Sequence, residues 1–412
     1  MFKKIFSSEL GRGAIILLIT MNIFWFLNLL FHFFMGRMLG PEEYGVLAVL
    51  MSILYIYGIP TEAIQNLISN YVSKFNLKKE DGRIKFLMLK SLKKSFKISL
   101  IFFVILSILS IFLSYFLNIN LWLILFTNIF IFLSFSIPIV RGVLQGRKKF
   151  YLLGSGMILE SVLKLIIAVS LVYLGFGVFG AVWGIMFGIL ASFIISLEFN
   201  RDILKSKEIE SDFKNIRLES VPYFIAMLII TIVLSYDIIL AKAFFSSEIA
   251  GKYAALSMLG KIIFFGTMAI SKTMFPLTSE KNYKKENTFG IFKKSFLAVA
   301  FLCLVAIIIY AFFPDLIINL LYGKQYTELS GFLFYLAISF SFLSLTNLVL
   351  VYSLSTRGIK KPYYLFVFFI IETALLFLFH NTIFEYILAF MVSNAIMFIG
   401  TLFLLIKWKN KD

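Results

Sequence analysis

Twelve apolar runs, most of them near 20 residues long, succeed one another along this 412-residue chain. They cover residues 13–35, 46–68, 98–117, 121–143, 153–174, 177–198, 219–245, 250–275, 294–313, 329–354, 363–380 and 383–406. About 20 consecutive apolar residues carry an α-helix across a bilayer. Lipid offers no water to unpaired backbone groups, so spans are helices or closed barrels. The pattern therefore predicts an all-α polytopic membrane protein of twelve transmembrane helices. Composition agrees: 60% of residues are hydrophobic and 15% charged, against roughly 25% charged in a soluble domain. The first run is too long for the core of a cleaved signal.

Charge sets the expected sidedness. The chain carries 39 Lys and Arg and a net charge of +17. With the N-terminus in the cytoplasm, 32 of them fall in inside segments, only Arg37 and Lys324 fall outside, and five lysines lie within spans. Cytoplasmic loops collect Lys and Arg, so both termini are expected inside, in the cell membrane. Adding or dropping one span destroys the separation. The positive charge is thus assigned to the bilayer as partner, with no nucleic acid expected. Segment 83–97, RIKFLMLKSLKKSFK, spaces its apolar residues as a helix does, with a basic opposite face. It reads as an interfacial helix on anionic lipid, or as a solvated basic loop. Cys303 is the single cysteine, and His32 and His380 lie far apart. Disulfides, metal sites and cofactors are not expected.

The sequence also repeats. LGPEEYGVLAVL at 39–50 aligns with FSSEIAGKYAAL at 245–256, KKSF at 93–96 recurs at 293–296, and GRKKFY at 146–151 aligns with GIKKPY at 358–363. The last register pairs Glu160 with Glu372. The matches fall in order, and each pair lies on one side of the membrane. Two six-helix halves in the same orientation follow, a parallel repeat about the membrane normal, with a substrate site expected between them. The expected boundaries are 1–198 for the first lobe, 199–218 for a cytoplasmic linker and 219–412 for the second lobe. The Pro-Glu-Glu-Tyr-Gly segment then reads as a turn that starts span 2, its acids favoured at a helix N-terminus.

The run L-G-P-E-E-Y-G after the first span, and Q-G-R-K-K-F-Y at Gln145–Tyr151 with Glu160 downstream, resemble polysaccharide biosynthesis proteins. These are the O-antigen-type oligosaccharide flippases of the multidrug/oligosaccharidyl-lipid/polysaccharide exporter superfamily. The resemblance covers essentially the whole chain. It implies two lobes in a V, a central cavity lined by spans 1, 2, 7 and 8, and alternating access. The implied cargo is a polyprenyl-phosphate- or polyprenyl-pyrophosphate-linked oligosaccharide, with other glycan-assembly membrane proteins as further partners. Lipid-linked peptidoglycan precursor flippases look similar but usually carry two extra spans. Multidrug extruders of the superfamily usually run longer.

A charge at mid-membrane costs about 2.5–3.5 kcal/mol on insertion scales, so each one asks for a function. Lys261, deep in span 8, is the leading candidate to meet the headgroup phosphate; the alternative is a structural pair with Asp237. Lys252 stands at the outer end of the same span, where it meets the headgroup or snorkels. Asp237 and Lys242 pair locally in this reading. Asn22, Asn28 and His32 of span 1, with Glu62 and Gln65 of span 2 and Asp237, are candidate cavity-lining groups; interhelical hydrogen bonding is the plainer account. Glu160 and Lys164 share a helix face and are expected to neutralise each other. Glu160 and Glu372 are also candidates for a coupling carboxylate. Gly180, Gly184 and Gly188 form a close-packing ridge in span 6. No residue is assigned as catalytic: no D-x-D, zincin or serine-elbow motif occurs, and the outer loops are short. The competing readings are a drug or cation extruder, which calls for an acidic cavity, a membrane glycosyltransferase or ligase, and a passive structural protein.

Overall fold

The computed structural model describes residues 9–210, 221–356 and 364–409, and all of its extended elements are helical. In chain order they are α1 (Glu9–Tyr57), α2 (Ile59–Leu77), α3 (Asp81–Leu117), α4 (Leu121–Asn128), α5 (Phe130–Gly146), α6 (Phe150–Leu171), α7 (Gly177–Glu198), α8 (Arg201–Lys205), α9 (Val221–Phe244), α10 (Ser247–Tyr283), α11 (Phe289–Phe312), α12 (Pro314–Leu321), α13 (Leu333–Ser355), α14 (Tyr364–Leu378) and α15 (Ile383–Lys409). A π-turn at Val172–Phe176 joins α6 to α7, and a 3₁₀ segment at Lys324–Phe332 precedes α13.

Eight helical stretches are long and apolar enough to cross a membrane. Two of them, Ile19–Leu77 at 59 residues and Phe150–Glu198 at 49 residues, exceed one crossing at 1.5 Å per residue. Each breaks at glycine in the left-handed region: Gly40 at φ 73°, and Gly175 and Gly177 at φ 89° and 52°. Pro41 follows Gly40 at once. It restarts the helix where a missing N–H is harmless, so the opening turn of the Pro-Glu-Glu-Tyr-Gly segment begins span 2. Each broken stretch supplies two spans, and α9 and α14 complete the twelve.

Two compact units divide the chain, Met1–Arg217 and Leu218–Asp412. In the first, α6 packs on α1 and α7, and α5 packs on α2, α3 and α7. The α6–α7 contact is the most extensive. A Cβ on Gly184 would stand 2.5 Å from the Ala168 Cβ, and one on Gly188 would stand 2.7 Å from the Glu160 carbonyl oxygen. Without a hydrophobic drive between helices in lipid, small residues that let backbones approach supply the packing. Gly184→Leu is therefore expected to destabilise the protein by about 1–3 kcal/mol. Gly266→Leu is the matched control, because a Cβ there meets nothing within 4 Å. Thermal unfolding in detergent compares them; equal midpoints would refute the ridge.

In the second unit α13 is the central helix, packed on α10, α11 and α15, while α9 lies against α10 and α14. Gly260 of α10 makes the close approach, its missing Cβ facing the Phe340 ring.

Two expectations are corrected. Segment 83–97 is not a separate interfacial helix. It is the first part of α3, one continuous helix of 37 residues, with Ile84, Leu87 and Met88 buried. Those residues face protein because α3 packs on α2, α5 and α8. Part of the expected linker is also pinned to the first unit. Ile203 is fully buried, Ile209 donates its N–H to the Gly82 carbonyl at 3.1 Å, and Lys85 donates to the Ser206 carbonyl at 2.9 Å. Residues 211–218 of that linker, and the 358–363 member of the third repeat match, lie outside the described residues.

Candidate functional site

Two clusters of polar groups stand out inside the apolar helices, one in each unit. In the first, His32 of α1 is buried between two tyrosines. Its Nδ1 lies 3.2 Å from the Tyr44 hydroxyl and its Nε2 3.3 Å from the Tyr55 hydroxyl. All three belong to α1 and meet because the Gly40 break folds the helix on itself. One turn back, Asn28 donates to the Phe24 carbonyl at 2.8 Å and to Ser161 of α6 at 3.3 Å. Its amide oxygen accepts from Lys164 of α6, whose ammonium also sits 4.3 Å over the Phe31 ring.

Glu160 forms its ion pair with Arg141 and not with Lys164, contrary to the shared-face expectation. Its carboxylate accepts from Arg141 of α5, and the same guanidinium donates to Ser192 of α7 at 2.8 Å. The cause is a competing partner. A guanidinium presents several donors in a rigid fork, and α5 brings it to the carboxylate from a third helix. Lys164 is left with a neutral amide and a ring face, and forms no ion pair among the described residues. Arg141 is one of the 32 cations that the charge pattern assigns to inside segments, yet it is 8% exposed within α5. The signal was present: residue 141 falls inside the apolar run 121–143.

Gln65 of α2 donates to Gln145 of α5 at 2.7 Å. Gly146, Arg147 and Lys149 of the Q-G-R-K-K motif also make protein contacts. A Cβ on Gly146 would meet the Ser69 carbonyl oxygen at 2.6 Å. Arg147 grips Asp202 through two hydrogen bonds of 2.9 and 2.5 Å, and Lys149 adds a third at 3.1 Å. The Arg147 hydrogen bonds hold the Asp202 carboxyl well below the usual carboxylate range. Asn22 and Glu62 are exposed.

In the second unit Asp237 of α9 is fully buried at the centre of the cluster. Its Oδ2 accepts from Ser257 at 2.6 Å and from Tyr253 at 3.0 Å, both on α10. Its main-chain carbonyl accepts from Tyr386 of α15 at 2.6 Å. Lys261 of α10, 2% exposed, stands 3.7 Å from Oδ1. That is ion-pair range but beyond a hydrogen bond. Lys252 is held at the start of α10 by Glu248 at 2.7 Å and by Glu328 of the 3₁₀ segment. Lys242 donates to the Ser247 hydroxyl. Glu372 of α14 is 1% exposed, and its carboxylate oxygens have no hydrogen-bond partner among the described residues. Next to it Thr373 accepts from Tyr236 of α9 at 3.0 Å.

The repeat explains the difference between the two acids. The offset of 212 that pairs Glu160 with Glu372 pairs Arg141 with Ser353. Ser353 bonds its own helix, to the Val349 carbonyl at 2.8 Å, so Glu372 inherits no guanidinium.

Twelve apolar spans divided between two units, each carrying charge within its spans, define a multi-pass membrane protein. Solved structures agree on the fold. A multidrug resistance MATE family transporter of the MOP superfamily, inward-facing, superposes with a TM-score of 0.73 at 15% identity, over 93% of this chain and 95% of that one. The lipid II flippase MurJ, inward closed, gives 0.70 at 15% identity over 94% and 87%. A MOP superfamily transporter from Pyrococcus furiosus, reported with reversed polarity of its binding pocket, gives 0.61 at 15% identity over 97% and 95%. No curated protein sequence matches the chain. The family model described as polysaccharide biosynthesis protein matches residues 34–331, and the chain belongs to that family.

Proposed function

We propose that the protein is a flippase, not an enzyme. It moves a polyprenyl-phosphate- or polyprenyl-pyrophosphate-linked oligosaccharide from the cytoplasmic to the outer leaflet of the cell membrane by alternating access, with both termini cytoplasmic. The observation that carries this reading is membership of the polysaccharide biosynthesis family on a fold shared with a lipid II flippase.

A phosphate crossing a low-dielectric interior needs a cation to meet it. Lys261 is assigned that part. Its ammonium is 3.7 Å from Asp237, a loose pair, while Asp237 keeps two hydroxyl donors when the lysine leaves. Lys252 is its counterpart at the outer end of α10, where it exchanges exposed carboxylates for a headgroup. Asn22 and Glu62, which are exposed, suit contact with sugar hydroxyls. Asn28, His32, Gln65 and Asp237 already hold protein partners and orient the groups around them. Glu372, buried with no hydrogen-bond donor among the described residues, is the carboxylate assigned to a coupling proton, whereas Glu160 is tied to Arg141 in a structural role.

The test uses cells depleted of the protein. Lipid-linked oligosaccharide is oxidised with a membrane-impermeant reagent, which reports the face that holds it. Accumulation on the cytoplasmic face is expected, reversed by the intact protein but neither by Lys261→Ala nor by Glu372→Gln at equal membrane abundance. Equal rescue by all three would keep the flippase and discard both residues. An unchanged distribution on depletion would sink the glycolipid reading and leave a drug or cation extruder.

A further inference from the structure

The first half of α3 carries Lys90, Lys93, Lys94 and Lys97. The spacing i, i+3, i+4, i+7 puts all four on one helix face, and all four are exposed. The rotation of α3 is fixed, because Ile84, Met88, Ser95 and Ser99 are buried on the other side. Continuing along the exposed face, the lysines give way to Ile101, Val104, Ile105, Ile108 and Phe112, each more than half exposed. A basic stripe thus runs directly into a lipid-facing apolar one.

Depth follows from the helix rise. Lys97 to Tyr115 spans about 27 Å at 1.5 Å per residue, close to the ~30 Å hydrocarbon thickness. The lysines therefore stand at the level of the lipid phosphates. Like charges at this spacing repel, and among the described residues the protein supplies no ion pair to Lys93, Lys94 or Lys97. No acidic residue occurs between Asp81 and Glu160. Flanking rings are placed as at an interface: Lys90 lies 4.9 Å from the Phe86 ring centroid, and Phe96 is exposed.

The second unit repeats the device in shorter form. Lys293 and Lys294 are exposed near the start of α11, and the exposed Leu297, Phe301, Leu304 and Ile308 follow. Again no acid occurs between Glu286 and Asp315.

We propose that the lysine face of α3 binds the phosphate-bearing headgroups of anionic lipids in the adjoining leaflet. This docking is independent of the cargo. Clusters of basic side chains at the membrane surface attract anionic lipid in this way, and here the fixed rotation and depth of α3 localise the attraction to one strip. The lipid would retain α3 at a set height and neutralise its clustered charge.

The full chain, purified in detergent with added phosphatidylglycerol and phosphatidylcholine in equal amounts, is the material for the test. Retained lipid is counted by native mass spectrometry. The intact protein is expected to retain several-fold more phosphatidylglycerol than phosphatidylcholine. The triple variant Lys93→Gln, Lys94→Gln, Lys97→Gln should fall to near parity, and the triple Lys→Arg variant at the same positions should keep the preference. A second triple variant removes equal charge elsewhere, at the exposed Lys78, Lys79 and Lys285, and should also keep it. An unchanged preference in the first triple variant, or an equal loss in the second, would overturn the strip as the site. So would parity in the intact protein.

Discussion

Arg141→Met alone is expected to destabilise the protein by about 3–5 kcal/mol, because it strands Glu160 as an unpaired carboxylate between α5, α6 and α7. Glu160→Leu alone should cost a similar amount by stranding the guanidinium. The double variant should recover most of either loss. Replacing both members of a buried pair by apolar groups removes the desolvation penalty together with the attraction. Ser192 is the smaller loss in every case, since its hydroxyl retains the Gly156 carbonyl as acceptor at 3.1 Å. Thermal unfolding in detergent of the three variants measures the coupling directly. Additive losses would refute the pair, because residues in one network show a coupling energy and independent ones do not.

The second large effect centres on Asp237. Asp237→Ala removes the acceptor of Tyr253 and Ser257 and the counter-charge of Lys261 in one step. Each buried polar group left without a partner costs about 1–3 kcal/mol, and a charged one more. Asp237→Asn keeps an acceptor for the hydroxyls but leaves Lys261 uncompensated, so its loss should be intermediate. Adding Lys261→Met to Asp237→Asn should restore stability. Adding it to Asp237→Ala should restore less, since the hydroxyls stay unsatisfied. The same variants divide stability from transport. If Lys261 meets the headgroup, the Asp237→Asn, Lys261→Met protein folds and fails to flip. A stable double variant with intact flipping would remove Lys261 from the proposed path.

The two acids matched by the repeat illustrate what a sequence register carries and what it omits. The register sets Glu160 and Glu372 in corresponding positions, and the apolar runs around them place both within α6 and α14, Glu372 buried and Glu160 partly so. Their chemistry differs because position 141 is arginine and position 353 is serine. The register carried that difference too, but only the packing of α5 against α6 gave it meaning. Similarly, the KKSF match marked where an apolar run begins in each half, while the exposure of Lys93 and Lys293 required knowing which face of each helix the neighbours cover.

The spans themselves were determined by the sequence. Apolar length against bilayer thickness is a one-dimensional quantity, and so are the breaks, since Gly40 before Pro41 and the glycines at 175 and 177 can adopt left-handed backbone where other residues are strained. The gross doubling into two halves was equally linear, a matter of register. Tertiary structure alone decided the partners. Helical periodicity tells which residues share a face of one helix, so it offered Lys164 to Glu160, four residues away. It does not tell which neighbouring helix brings a stronger donor, and α5 brought Arg141. For the same reason Lys252 met Glu328 across 76 positions and Lys261 met Asp237 across two helices. Ionic partners inside a membrane protein are chosen by proximity in three dimensions, where an unpaired charge is too costly to leave to its own helix.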